Sequence, residues 1–265
     1  MDLIDALILG LIQGLFEWLP VSSEGMTSLY MVAKGQTLTE AIPISIWLHT
    51  GTLLAAILYF RSDLKAIIKN IPDYLKRNKK NIDLNATTTF LIISTAATGI
   101  IGLPIMLYSL DNLSFSGTTA TAFIGLLLII TGLLQKKAEQ KKHTKKTATT
   151  IDSMIIGILQ GFSAMPGLSR SGLTTSGLLL RKYDAKTALK LSFLMSIPAV
   201  LAAEIGLNLM EKITLDTNAM IAVAASFIVG YLSISSFINL AEKIRFYKFC
   251  IILGMISLIP LLLTL

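Results

Sequence analysis

Six long apolar stretches constrain the fold of this chain more than any other feature. They cover residues 42–60, 88–108, 119–134, 188–210, 219–240 and 246–265. A hydrocarbon core about 30 Å thick needs about 20 helical residues at ~1.5 Å per residue, and most of these stretches reach or approach that length. Since the chain has 265 residues, no room is left for a soluble domain. We therefore predict an all-α integral membrane protein with one membrane domain spanning residues 1–265.

The charged residues are few, and the cations cluster between the apolar stretches. Only 15% of the residues are charged, below the ~25% usual in soluble domains. Most cations follow the first or the third stretch: Arg61, Lys65, Lys69, Lys76, Arg77, Lys79 and Lys80, then Lys136, Lys137, Lys141, Lys142, Lys145 and Lys146. Cytoplasmic loops of membrane proteins carry an excess of such residues. The net charge of +7 therefore predicts a multi-pass cell-membrane protein with cytoplasmic Lys-rich loops, surrounded by membrane lipids, and no nucleic-acid partner.

Two further apolar segments are interrupted by small and polar residues. Residues 1–34 break at "LPVSSEG", and residues 151–182 break at "MPGLSRSG". Irregular backbone at membrane depth is tolerated only where protein or a water-filled cavity satisfies its polar groups. Each segment therefore predicts a re-entrant hairpin, two short helices that enter and leave the membrane on one side.

The two interrupted segments match each other at a constant offset. Gly10, Gln13, Gly14, Ser22 and Gly25 recur 147 positions later as Gly157, Gln160, Gly161, Ser169 and Gly172. We interpret this as a duplication with halves at about 1–135 and 151–265, joined by the Lys-rich loop 136–150. Three crossings follow each hairpin, and three is odd, so the halves must have opposite orientations, as in many transporters. The loop charges then place the opening of the first hairpin on the outer face.

The residues at the two breaks suggest chemistry on a phosphate group. Gln13 and Glu17 lie four residues apart and share a helical face. The first break adds Ser22, Ser23, Glu24 and Gly25, and the second adds Gly167, Ser169, Arg170, Ser171, Gly172 and Thr174. Opposed halves would bring Arg170 near Glu17 or Glu24. Arginine and helix N-termini bind phosphate oxygens, while a carboxylate accepts a proton or holds a divalent cation. The alternative is structural: Glu17 only neutralises Arg170, and Pro20 and Pro166 only end helices.

Three other polar residues are less informative. His49 lies in an apolar stretch, where it either lines the cavity or makes a buried hydrogen bond. Glu204 is either a cavity residue or close enough to the outer end of its stretch to reach water. The lone Cys250 excludes a disulfide.

At these residues the chain resembles the undecaprenyl-pyrophosphate phosphatase family. "QGLFEWLPVSSEG" and "PGLSRSGLTT" resemble its two signature regions, and the likeness covers nearly the whole chain. The resemblance implies hydrolysis of a polyprenyl diphosphate to the monophosphate, which is the lipid carrier for glycan synthesis. It implies catalytic roles for Glu17, Ser23 and Arg170, and substrate binding by Gln13, Ser22, Gly25, Gly167, Ser169, Ser171, Gly172 and Thr174. It also implies Mg²⁺ or Ca²⁺ at Glu17 with Gln13, and Glu24 and His49 as accessory residues.

The chain departs from the family pattern at Met26. Many bacterial members have a histidine at this position, and methionine can supply neither acid–base nor nucleophilic chemistry. Glu17 would then activate Ser23 or a metal-bound water, or Glu24 or His49 would take the place of the histidine. The variant suits an archaeal member with a dolichol-like carrier.

Two functions stay open at this point. The first is the polyprenyl-diphosphate phosphatase, and the second is a polyprenyl-phosphate flippase without hydrolysis, because inverted repeats with broken helices are typical of transporters. A type-2 phosphatidic acid phosphatase is disfavoured, since Thr175 stands where that family needs a histidine. A homodimer is an open expectation for the assembly.

Overall fold

The fold consists of α-helices throughout the residues that the structure describes. A computed structural model describes residues 1–78, 81–139, 147–210, 216–241 and 245–263. Its eleven helices in these ranges are α1 (Leu3–Phe16), α2 (Ser23–Ala33), α3 (Leu38–Tyr59), α4 (Arg61–Leu75), α5 (Ile82–Asn112), α6 (Gly117–Glu139), α7 (Thr150–Phe162), α8 (Arg170–Leu180), α9 (Ala185–Leu209), α10 (Thr217–Ala241) and α11 (Phe246–Leu262). The prediction of an all-α membrane protein is confirmed at this level.

Five of these helices are long and apolar enough to cross a membrane, namely α3, α5, α6, α9 and α10. They correspond to five of the six predicted stretches. The sixth, 246–265, forms α11, an apolar helix of 17 residues. At ~1.5 Å per residue, α11 is about 26 Å long, slightly less than a hydrocarbon core of about 30 Å.

Residues 61–87, which lie between the first two predicted stretches, contain a helix of their own. α4 starts two residues after α3 ends, and α5 begins at Ile82, before the predicted start of the second stretch. Apolar residues recur along α4 at the three-to-four-residue spacing of a helix face, with cations between them, so its pattern is amphipathic. The cations had been interpreted only as topology signals. Several charged residues of the predicted loops lie outside the described residues, namely Lys79, Lys80, Lys141, Lys142, Lys145 and Lys146.

Short helices flank both predicted breaks and pack closely on the long helices. α1 contacts α10, and α7 contacts α5. A β-carbon at Gly14 would lie 2.7 Å from Val229 Cβ, and one at Gly161 would lie 2.7 Å from Ile101 Cβ. Glycine is therefore required at both places because the backbones approach too closely for a side chain.

Trp18 fixes the first break against the long helices. Its indole Nε1 donates to the Gly230 carbonyl of α10 at 2.9 Å, and its ring packs edge-on against Phe193 of α9 at 5.4 Å. Trp18 is 1% exposed. A buried indole with a satisfied N–H is a rigid support, and it holds the adjacent Glu17 in place.

Candidate active site

The first helical pair brings two polar side chains onto one carboxylate oxygen of Glu17. Gln13 Nε2 and Ser23 Oγ each donate to Glu17 Oε2 at 2.8 Å. Gln13 and Glu17 share the predicted helical face at the end of α1, while Ser23 opens α2. Glu17, Gln13 and Ser23 are all buried. The break lets α2 fold back onto the end of α1, which brings Ser23 to Glu17.

The second pair supplies the cation for this carboxylate. An Arg170 Nη2 hydrogen bond reaches Glu17 Oε1 across 153 residues of sequence. Arg170 Nη1 is buried and has no hydrogen-bond partner within the described residues. A guanidinium that uses only one edge for its ion pair keeps donors for an anionic ligand. The predicted approach of Arg170 to Glu17 is therefore confirmed.

His49 on α3 completes the ring of groups around Glu17. Its Nε2 lies 3.3 Å from Glu17 Oε2, and its Nδ1 lies 2.7 Å from the Ser45 carbonyl oxygen. Because a carbonyl oxygen only accepts, Nδ1 carries a proton and Nε2 is left to face the carboxylate. Both alternatives for His49 hold: the residue lines the cavity, and its Nδ1 makes a hydrogen bond to the Ser45 carbonyl.

The first turns of α2 and α8 both face the same cavity. Ser22 accepts from Gly25 N, and Ser169 accepts from Gly172 N, each at 3.1 Å, so a serine caps each helix. Ser22 adopts a left-handed conformation with φ of 65°, a costly choice for a residue with a side chain. Two helix N-termini at one cavity place positive ends of helix dipoles beside Arg170.

The two breaks are held together by hydrogen bonds to backbone groups. Ser171 Oγ donates to the Leu19 carbonyl at 2.9 Å. Gln135 of α6 donates to the Pro20 carbonyl at 2.5 Å, and Thr131 one turn earlier accepts from Ser169 N at 3.3 Å. Polar groups opened by the breaks are thus satisfied by protein rather than by lipid. Gln135 and Thr131 were missed, although a polar pair four residues apart in an apolar helix was the available signal.

The cavity has a polar end and an apolar arm. Its volume is about 470 Å³, within the usual range for small-molecule sites. Glu17, Ser22, Ser23, Glu24, His49, Ser169, Arg170 and Ser171 line the polar end, and Gly99, Gly102, Leu103, Met106, Ala199, Val200, Ala203 and Gly206 line the arm between α5 and α9. Five further polar residues belong to the lining, namely Thr95, Thr98, Gln160, Ser163 and Ser196, so the arm is mainly but not wholly apolar. A β-carbon at Gly99 would meet nothing within 4 Å, and one at Gly206 only Met106 Cε at 3.6 Å. These two glycines leave space open instead of serving close packing.

The other predicted site residues lie behind the cavity wall. Gln13, Gly25, Gly167, Gly172 and Thr174 are not among the lining residues. A β-carbon at Gly25 would lie 3.2 Å from Gly167 Cα, so these glycines allow the two breaks to meet. Thr174 Oγ1 lies 2.6 Å from Ser192 Oγ and joins α8 to α9.

Met26 faces away from this chemistry. It packs against the apolar cluster that contains Leu38, Ile42 and Leu128, and it is not a lining residue. Glu204 is buried, and neither carboxylate oxygen has a hydrogen-bond partner within the described residues. Its neighbours Ala203 and Ile205 line the arm.

The residues around Glu17 fit a divalent cation only in combination with a ligand. No group of three or more His, Cys, Asp or Glu residues that could hold a metal occurs within the described ranges. Gln13 Oε1 is nevertheless a buried oxygen without a hydrogen-bond partner there, and Glu24 lines the cavity. Mg²⁺ usually binds one or two carboxylates together with phosphate oxygens and water. The donor chemistry therefore fits this mode of binding.

Fold and site together define a multi-pass membrane protein with a buried Glu–Arg–His–Ser cluster at two helix N-termini, a cluster able to bind an oxyanion. The chain belongs to the family described as Bacitracin resistance protein BacA, which matches residues 6–259.

Its relatives share one name. A protein of Methanococcoides burtonii named undecaprenyl-diphosphatase is 51% identical over 264 residues, 99% of this chain and 100% of that protein. The undecaprenyl-diphosphatase of Methanothrix thermoacetophila is 39% identical, covering 97% of this chain and 96% of its own. Undecaprenyl-diphosphatase 1 of Shouchella clausii is 33% identical, covering 98% and 96%. The first two organisms are archaea, as the sequence had suggested.

Proposed function

We propose that this protein is an undecaprenyl-diphosphatase, which hydrolyses a polyprenyl diphosphate to the monophosphate and inorganic phosphate and so recycles the lipid carrier for glycan synthesis. The observation that carries the proposal is the convergence of Ser23 and Arg170 on Glu17 at a cavity that continues into an apolar arm. A lipid diphosphate has the same two parts, an anionic head and an apolar tail. The names of the relatives support the same substrate.

Binding of the diphosphate is assigned to Arg170 and the two helix N-termini. Arg170 Nη1 has no hydrogen-bond partner within the described residues, and a phosphate oxygen is the partner we assign to it. The capped first turns of α2 and α8 add backbone N–H groups and positive dipoles. Ser22 and Ser169 add hydroxyl donors at the same end of the cavity, and Ser171 lines it while its hydroxyl donates to the Leu19 carbonyl. Gln13, Gly25, Gly167, Gly172 and Thr174 support these groups from behind.

Ser23 is the proposed nucleophile, and Glu17 is its base. The hydrogen bond from Ser23 Oγ to Glu17 Oε2 is 2.8 Å long, the geometry of an activated hydroxyl. Glu17 accepts the proton as Ser23 Oγ bonds to the terminal phosphorus, and the bond from that phosphorus to the bridging oxygen breaks. Glu17 passes this proton to the departing lipid monophosphate and is a carboxylate again. Water then attacks the phosphorus of phosphoserine and gives a proton to Glu17. The bond from phosphorus to Ser23 Oγ breaks, Glu17 returns the proton to Oγ, and inorganic phosphate leaves.

His49 is the proposed substitute for the histidine that many bacterial members of the family have at the position of Met26. Its Nε2 lies beside Glu17 Oε2 and at the cavity wall, so it can pass a proton between Glu17 and the departing phosphate. The Ser45 carbonyl orients the ring through Nδ1.

Mg²⁺ or Ca²⁺ is the proposed cofactor, held by Glu17, Glu24 and the Gln13 amide oxygen together with the substrate phosphates. Such a cation neutralises negative charge on phosphate oxygens. The Gln13 oxygen without a hydrogen-bond partner in the described residues supports this assignment.

The inverted repeat with two re-entrant hairpins is part of the proposal. Helices α2 and α8 begin and end 147 positions apart, and α1 and α7, like α3 and α9, begin 147 apart. Contacts repeat as well: Thr27 Oγ1 lies 2.8 Å from Ser45 Oγ, as Thr174 lies 2.6 Å from Ser192. The ion pair from Lys34 to Asp5 recurs from Arg181 to Asp152. Four pairs of equivalent side chains support a duplication far better than the glycines alone.

The orientation follows from the loop charges. We propose that the Lys-rich loop 136–150 and the basic residues around α4 face the cytoplasm, that the site opens to the outer face, and that the protein resides in the cell membrane as one domain over residues 1–265. A homodimer stays a prediction.

Phosphate release from undecaprenyl diphosphate by the purified protein with Mg²⁺ tests the proposed function. The wild type should release phosphate, and a variant carrying Glu17→Gln and Arg170→Ala should release none above background. Equal release by the two proteins would reject the phosphatase. A fluorescent polyprenyl phosphate in vesicles tests the flippase alternative, which gains support if lipid changes leaflet without hydrolysis.

A further inference from the structure

Helix α4 is fixed to the protein along one face by a ladder of amides. Asn70 of α4 donates from Nδ2 to Asn85 Oδ1 at 2.7 Å and accepts from Asn81 Nδ2 at 3.1 Å. Asn85 Nδ2 donates to the Asn78 carbonyl at 2.7 Å. Tyr74 of α4 lies 3.2 Å from Thr89 Oγ1. These bonds set the rotation of α4 about its own axis.

With the rotation of α4 fixed, an apolar stripe is left exposed. Ile68 is 64% exposed, Ile71 41% and Leu75 73%. These residues are three and four positions apart, so they form one continuous strip on the helix surface. Since the amide ladder on another face fixes the rotation of α4, the strip cannot be buried by turning the helix. It needs an apolar cover from outside the described chain.

A cationic stripe runs beside the apolar one. Arg61, Lys65, Lys69 and Lys76 are exposed and make no ion pair within the described residues. The acidic residues of α4 are engaged elsewhere: Asp63 pairs with Lys190 of α9 at 2.5 Å, and Asp73 accepts from Asn78 at 3.3 Å. The exposed surface of α4 is therefore apolar on one side and positively charged on the other.

The position of α4 next to a membrane-spanning helix indicates which partner covers its exposed apolar strip. Only Phe60 separates α4 from the membrane-spanning helix α3, so α4 begins at the boundary of the membrane. An amphipathic helix there, with a basic polar side, lies in the interface plane and attracts anionic lipids. Lysine stems lie along apolar surface and extend their charge to the headgroups.

We propose that α4 is an in-plane interfacial helix that binds anionic phospholipids, with Ile68, Ile71 and Leu75 in the hydrocarbon and Lys65, Lys69 and Lys76 on the headgroup phosphates. This interaction goes beyond the phosphatase activity and does not depend on it. It assigns to these cations a direct ligand in addition to their role in topology.

Hydrogen exchange of the full-length protein in lipid nanodiscs tests the proposal. Single copies are placed in discs of phosphatidylcholine alone or of an equal mixture of phosphatidylcholine and phosphatidylglycerol. The backbone amides of α4 should exchange at least about fivefold more slowly in the anionic discs, the effect of about one lysine–lipid interaction. The variant K65Q/K69Q/K76Q should show equal exchange in both lipids.

A matched variant separates specific from general charge effects. K136Q/K137Q/K186Q removes three exposed lysines from α6 and α9 and should keep the full lipid dependence at α4. Equal exchange of the wild type in both discs, or loss of the dependence in the matched variant as well, would overturn the proposal. Protection that arises only in discs with two copies would instead identify α4 as a contact between copies and would equally overturn it.

Discussion

Arg170 and Glu17 form an ion pair between two helix ends that lie 153 residues apart in the chain. Both side chains line the cavity, and Trp18 and Gln135 hold the breaks that carry them. A buried carboxylate that accepts from an arginine, a glutamine and a serine is held in one geometry. The pair therefore joins the two breaks, and in the proposed function it also prepares the site for an anion.

Arg170→Lys should remove most of the activity without unfolding the protein. Lysine keeps the charge for Glu17 but loses the second, free edge of the guanidinium, so kcat should fall about 100-fold or more. Phosphate release and thermal unfolding in detergent measure the two effects. An active Arg170→Lys enzyme would show that the free Nη1 has no role in catalysis.

Glu17→Gln and Ser23→Ala should each lower kcat by about 1,000-fold, because base and nucleophile act in one proton transfer. Combining them should cost little more than the worse single change, since residues that act as a unit are non-additive. Steady-state rates of the three variants decide the point. Losses that multiply would assign Ser23 and Glu17 to separate steps.

His49→Gln should lower kcat by about 100-fold, because glutamine cannot carry a proton to or from Glu17. Met26→Leu is the control, since Met26 packs in an apolar cluster and leucine conserves its volume. That variant should retain wild-type kinetics. The opposite pattern, a silent His49→Gln and an impaired Met26→Leu, would contradict the assignment of the histidine role.

Gly206→Leu should impair long-chain substrates selectively. The open space at Gly206 belongs to the apolar arm, so a leucine there would occupy room assigned to the lipid tail. The ratio of kcat/KM for a C55 diphosphate to that for a C15 diphosphate should fall, while Gly206→Ala, whose β-carbon would lie 3.6 Å from Met106 Cε, stays close to wild type. An equal loss for both substrates would indicate general damage.

Gly14→Ala and Gly99→Ala should change stability in opposite directions. A β-carbon at Gly14 would lie 2.7 Å from Val229 Cβ and 2.8 Å from Gly230 N, whereas one at Gly99 would meet nothing within 4 Å. The first change should cost about 1–3 kcal/mol by overpacking, and the second should stabilise by about 0.4–1 kcal/mol by restricting the unfolded chain. Thermal unfolding in detergent micelles gives both values. A stable Gly14→Ala variant would mean that α1 and α10 can move apart.

Local periodicity and composition were sufficient for the features that depend on short segments. Long apolar stretches identified five membrane-spanning helices, because a bilayer sets helix length directly. Pro20 and Pro166 located both breaks, and the four-residue spacing located Gln13 beside Glu17. The charge pattern of residues 61–76 was noticed but interpreted only as topology, although the three-to-four-residue spacing of the apolar residues there also predicts α4.

Contacts between distant segments were decided by the tertiary structure. The sequence offered Glu17 or Glu24 to Arg170, and only the packing of α8 against α6, α7 and α9 selected Glu17. The sequence offered His49 as one of several residues that could replace the histidine missing at Met26. The position of α3 beside the first break then placed His49 Nε2 3.3 Å from Glu17 Oε2. From the sequence, Gly99 and Gly206 could not be distinguished from other glycines in membrane helices. A glycine either lets a neighbouring helix approach or leaves open space, and which of the two occurs depends on the residues that face it. The helix period and the bilayer thickness constrain residues that are near one another in the sequence, so their effects can be predicted from it. Which distant side chains contact each other depends on how the helices pack, and only the tertiary structure shows this.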